Sequence, residues 1–172
     1  MGTTWEWEKL VDQDVQELRQ RYLRERVQVS RKTVWREVPH LIQVSRRSAV
    51  DRQWFRELGL KRQFIVRGAA ASQDARKAVL LGEFAAAQWG MWFATPKDHD
   101  VQFALPSGHL PPKSSLPVST KFKAFKTPPA DTAELDGVRV THPLRTYVDY
   151  CRMQKVVNAP VSYTHLTLPT KA

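Results

Sequence analysis

An α+β fold is predicted for this 172-residue chain: a helical, helix-turn-helix-like N-terminal region, then a small mixed sheet with packed helices. Three observations predict it. Apolar residues keep a helical stripe through the first 27 residues. Two short helix-like segments follow copies of a Gln-Val-Ser motif. Residues 91–140 alternate in polarity and are broken by prolines before a last amphipathic stretch.

The first helix is expected over residues 6–27. Leu10, Val11, Val15, Leu18, Tyr22 and Leu23 line one face, with a slip at Asp14. Acidic residues crowd its start and arginines its end, as the helix dipole favours. Gln28-Val-Ser-Arg-Lys-Thr33 is then echoed by Gln43-Val-Ser-Arg-Arg-Ser48. After Ser30, a short face of Val34, Trp35 and Val38 must stop near Pro39. After Ser45 or Ser48, Val50, Trp54, Phe55 and Leu58 make a longer face, with Gly59 at the position after the helix. The pair reads as a helix-turn-helix whose second helix faces the major groove, although the connection is longer than usual. Lys61–Arg67 would follow as a strand of a wing. The tryptophans and Phe55 share faces with aliphatic residues and are read as core.

Gly68-Ala-Ala-Ala71 reads as a small-residue hinge, and Ser72 as the cap of a helix reaching Gly90, with Ala75, Ala78, Val79, Gly82, Ala86 and Trp89 on one face. Strands are expected at Val101–Leu105 and Val118–Phe125, separated by a proline-rich loop. A hairpin is expected over 134–140, because Asp136-Gly137 suits a turn with positive φ. Thr141 or His142 then caps a helix that Pro143 opens. Its stripe of Leu144, Tyr147, Val148 and Cys151 is expected to pack on the sheet, with an Arg145–Asp149 pair outside.

Val161–Thr170 matches one reading frame of a sequencing adapter, so 160–172 is expected to be non-native and the natural chain to continue past about residue 159. The expected organisation is therefore a basic DNA-binding region over 1–67, an α/β domain over 68–159, and that tail.

Charge points to the partner. Residues 19–67 hold fourteen Lys/Arg against four Asp/Glu, whereas the net charge of the whole chain is +10. One stretch thus carries an excess as large as the whole, the footprint of a phosphate-backbone partner. Arg31, Lys32, Arg46, Arg47, Arg52, Arg56, Lys61 and Arg62 are the candidate duplex-DNA contacts. No eighteen-residue apolar run is present, so no membrane partner is expected. A single cysteine, Cys151, excludes a disulfide framework and suits a reducing cytoplasm.

Enzymatic signatures are absent: no phosphate-loop glycine pattern, no Gly-x-Ser-x-Gly elbow and no His-Glu-x-x-His. Asp98-His99-Asp100 lacks the further partners of a metal site, and His40 and His109 read as solvent-facing. Neither an enzyme nor a cofactor is expected.

Four segments carry a resemblance: Arg62–Gly68, Ala78–Trp92, Val101–Leu105 and Asp136–Arg152. Across about residues 60–155 the chain resembles AbiEi-type antitoxins, the DNA-binding partners in type IV toxin–antitoxin systems, and looks like their actinobacterial-type variants. The resemblance implies an N-terminal winged helix on operator DNA, a following α/β domain and a cognate toxin. Residues 1–30 depart from the family's usual opening. The expectation is a cytoplasmic antitoxin-like transcriptional regulator. The alternatives are the non-catalytic front of a very-short-patch-repair-like nuclease protein, or a protein-binding scaffold.

Overall fold

The computed structural model describes residues 7–94, 100–116 and 119–153. Among them, five α-helices pack with a three-stranded and a five-stranded sheet, so the expected α+β class holds.

Helix α1 (Gln13–Glu25) begins later than expected, because the Asp12 carboxylate accepts the backbone N–H groups of Asp14 at 2.9 Å and Val15 at 3.3 Å. Those donors have no partner inside the helix, and the cap satisfies them. Trp7–Leu10 is a separate 3-10 turn. Val15, Leu18, Arg19 and Tyr22 face inward.

The expected helix-turn-helix does not form. Residues 30–39 are turns, and an antiparallel sheet of β1 (Val27–Gln28), β2 (Leu41–Gln43) and β3 (Ser48–Asp51) takes the place of two helices, with β3 central. Ser48, Ala49 and Val50 are all buried, so this run forms a central strand and not one face of a helix. Helical structure starts only at Asp51, whose carboxylate accepts the Trp54 N–H at 2.8 Å, giving the six-residue α2 (Arg52–Glu57). Trp35 is exposed and is not core, while Phe55 is buried as expected.

The wing strand at Lys61–Arg67 is also replaced. These residues and Gly68-Ala-Ala-Ala71 lie in one helix, α3 (Leu60–Asp74), so the hinge is absent and the expected 67/68 boundary falls inside a helix. A Cβ on Gly68 would sit 3.1 Å from Gln88 Nε2 and 3.3 Å from the Phe84 ring. The glycine thus lets two helices approach closely, which offsets its poor helix propensity. Ser72 caps nothing; its hydroxyl accepts the Arg139 N–H at 3.1 Å. The single helix expected up to Gly90 is divided into β4 (Val79–Leu80) and α4 (Gly82–Trp89). Every residue from Ala78 to Trp89 is buried, so no periodicity separated strand from helix there. Gly90 ends α4 at φ 76°, where a Cβ would lie 2.5 Å from that of Asp12.

The second sheet adds β5 (Val101–Ala104), β6 (Thr120–Phe122), β7 (Thr132–Leu135) and β8 (Val138–Thr141) in the order β6-β5-β4-β8-β7. Strands β5 and β6 run parallel, as do β4 and β8, and the other pairs are antiparallel. The expected hairpin is present, turning at Asp136 (φ 49°) and Gly137 (φ 79°). Helix α4 is buried along its whole length and packs on α3 and α5. Phe64 anchors the core, meeting Phe84 edge-on at 4.8 Å and Phe93 at 5.8 Å between ring centroids.

Helix α5 (Pro143–Met153) starts where expected, with the Thr146 N–H donating to the His142 carbonyl at 2.7 Å. Its orientation is not the expected one. Leu144 is 58% exposed and Val148 43%, whereas Pro143, Thr146, Asp149 and Tyr150 face inward. The inward polar groups are bonded: the Thr146 and Thr141 hydroxyls lie 2.7 Å apart, and the Tyr150 hydroxyl accepts the Ala94 N–H at 3.0 Å. Cys151 is half-buried and free. Asp98, His99 and the 160–172 tail lie outside the described residues. Within them, no helix is long and apolar enough to cross a membrane.

Candidate nucleic-acid interface

Four of the eight expected contact residues come together at one end of the three-stranded sheet. Arg46 and Arg47 occupy the loop joining β2 to β3, closed by Val44 and Ser45 N–H groups donating to the Ser48 carbonyl at 3.0 and 3.2 Å. The Val29 N–H donates to the Arg47 carbonyl at 2.8 Å, so the chain leaves β1 beside that loop. It turns at once through Ser30–Thr33, where the Lys32 N–H meets the Ser30 hydroxyl at 3.2 Å, and this turn presents Arg31 and Lys32. All four side chains are exposed, and none is in an ion pair among the described residues. Exposed Val34 and Trp35 follow directly.

The other four follow the opposite end of β3, a strand roughly 10 Å long at the usual rise. Arg52 is half-buried and spends Nε and Nη2 on the Leu41 carbonyl at 3.3 and 3.1 Å, holding α2 to β2. Arg56 is exposed in the last turn of α2. The exposed Lys61 and Arg62 begin α3, and Lys61 Nζ lies 5.2 Å from the Trp92 ring centroid and 5.3 Å from that of Phe93. Arg62 lines a shallow cleft with Arg21, Arg24 and Trp54. The eight residues therefore fall into two groups, at opposite ends of β3.

The charge count of the basic stretch also overstated its free charge. Arg19 is 1% exposed; Nε reaches Asp136 Oδ2 at 2.8 Å, and Nη1 reaches the Gln88 carbonyl and Oε1 at 3.2 and 3.0 Å. It joins α1, α4 and the β7–β8 turn, and burial lowers its pKa against the pull of Asp136. Conversely, sequence reasoning missed Arg76 and Arg139. They stand close to Arg26 and Arg47 around one cleft, though Arg139 is ninety-two residues from Arg47 along the chain. No sequence pattern announces that convergence, because β8 and the loop after α3 meet only through the sheet pairing.

Chemically, the loop and turn offer guanidinium and ammonium donors to an anion, with no nucleophile–base pair among them. Among the described residues no group of three or more His, Cys, Asp or Glu side chains could hold a metal ion. Comparison with protein-family profiles, curated proteins and solved structures finds no match to this chain.

Proposed function

We propose that this chain is a duplex-DNA-binding, antitoxin-like transcriptional regulator whose DNA-facing edge is the β2–β3 loop with the neighbouring Ser30–Thr33 turn. The observation that carries the reading is the group of four exposed, ion-pair-free cations there, in a chain of net charge +10. A major groove admits a two-stranded ribbon as well as a helix. The six-residue α2 would present little to a groove, so the loop is the better candidate. Regulatory function, and a cognate toxin as second partner, rest on the resemblance over about residues 60–155.

Four neutralised phosphates correspond to a salt slope of about −3.6, or roughly a hundredfold loss of affinity between 50 and 200 mM salt. Fluorescence anisotropy on a labelled duplex measures it. Replacing Arg46 and Arg47 by alanine should lower the slope by about two. Equal affinity at both salt concentrations, or a slope unchanged in the double variant, would overturn the reading and favour the protein-binding scaffold.

A further inference from the structure

Beside the DNA-facing edge lies a cleft of about 460 Å³ between the first sheet, the C-terminal end of α3 and the β7–β8 hairpin. Arg26, Arg47, Arg76 and Arg139 line it together with Asp74 and Glu134. The four arginines come from four places: the C-cap of α1, the β2–β3 loop, the segment after α3, and β8. Two bonds fix its walls. Asp74 Oδ2 accepts the Arg47 backbone N–H at 3.1 Å, and Arg139 donates through Nη1 to the Arg76 carbonyl. The carboxylates thus leave an excess of two positive charges, and none of the four guanidinium groups is in an ion pair among the described residues.

A second, independent observation points the same way. Gln73, on the lining, has a buried Oε1 without a hydrogen-bond partner among the described residues. Buried polar groups are normally bonded, and such a group on the wall of an arginine-lined cleft marks a place where a polar ligand or its water completes the bonding.

We propose that this cleft binds a phosphate monoester, its dianion held by Arg47, Arg76 and Arg139. A dianion balances the excess of two charges, and Arg presents planar, paired donors that match phosphate oxygens. No aromatic side chain lines the cleft, so it offers no stacking platform and the phosphate carries the recognition. The space exceeds what one phosphate fills, so it also takes the rest of the ester, and the two sources that fit are a free nucleotide and the 5′-phosphate end of a strand.

The test is isothermal titration of the whole chain with inorganic phosphate, adenosine 5′-monophosphate and adenosine, and with a short oligonucleotide carrying or lacking a 5′-phosphate. Saturable binding of the monophosphate, none of adenosine, and at least a tenfold loss in Arg139→Gln and in Arg76→Gln are the expected results. Both arginines are exposed, so these variants should fold; circular dichroism checks it. A preference for the 5′-phosphorylated strand over the monophosphate identifies a strand end as the source, and the reverse identifies a free nucleotide. No binding of any phosphate at millimolar concentration, equal binding of adenosine, or unchanged affinity in both variants would overturn the proposal. The DNA-edge reading is separable: Arg31→Ala and Arg46→Ala should weaken duplex binding and leave monophosphate binding unchanged.

Discussion

Replacing Arg145 by alanine should destabilise the protein far more than replacing its neighbour Leu144, the reverse of what residue type suggests. The guanidinium donates from Nε to Asp149 Oδ2 at 2.9 Å, from Nη1 to Asp131 Oδ2 at 2.6 Å and from Nη2 to the Lys126 carbonyl at 2.7 Å. The Asp149 side chain is 0% exposed, and without Arg145 its remaining ionic partner is Arg152 at 3.6 Å. Removing one member of a buried pair costs about 3–5 kcal/mol. Arg152 remains and Arg145 is itself 20% exposed, so a value of about 3 kcal/mol is expected. In a chain of this size that corresponds to a fall in Tm of roughly 6–12 °C. Leu144, largely in water already, should cost less than about 1 kcal/mol on truncation. Urea unfolding followed by circular dichroism gives both values. Burial pushes the Asp149 carboxyl above the usual carboxylate range while Arg145 pulls it down. The cost of Arg145→Ala should therefore shrink as pH falls and the carboxylate is neutralised. Arg145→Ala within about 0.5 kcal/mol of wild type, or costing less than Leu144→Ala, would refute the buried-pair argument.

Arg19→Ala should cost about 1–3 kcal/mol, because it leaves the buried Gln88 Oε1 without its donor, while Arg21→Ala, whose partner Glu25 is exposed, should cost under about 1 kcal/mol. Similar losses in the two variants, measured by urea unfolding, would contradict the structural role given to Arg19. Burial raises the pKa of Glu83, against weaker lowering by a backbone N–H and Lys123. The folded state then holds that proton more tightly than the unfolded chain, so Glu83's contribution is complete below the ordinary carboxylate range and is lost as pH rises through the raised value. Glu83→Gln should flatten that decline and raise stability at neutral pH; a wild-type slope in a Tm series across pH would count against it. Gly90→Ala should cost at least about 1–2 kcal/mol from the left-handed backbone alone, with the Asp12 contact added, and calorimetry showing no loss would mean the α4 cap had been misread.

Some of this protein is legible in the chain itself. The Asp136-Gly137 turn, the strands flanking it, the Val101–Ala104 strand and the start of α5 at Pro143 follow from local rules: positive φ, alternation, and a missing N–H tolerated at a helix start. The clustering of positive charge was also visible, although its count included Arg19, which the fold buries. Tertiary structure decided the rest wherever local preference was weak or ambiguous. Residues 78–89 are buried on every side, so no period marked the break between β4 and α4. Ser48–Val50 became a strand because it could pair on both edges, with β1 and β2, in segments that carried no strong signal of their own. Leu144 and Val148 of the α5 stripe face outward, while Tyr147 still packs on the core, because Thr146, Asp149 and Tyr150 find hydrogen-bond or ionic partners inside, and partners distant in sequence cannot be read from spacing. The same reason hid the arginine cleft: Arg26, Arg47, Arg76 and Arg139 become neighbours only when the two sheets and α3 close around them.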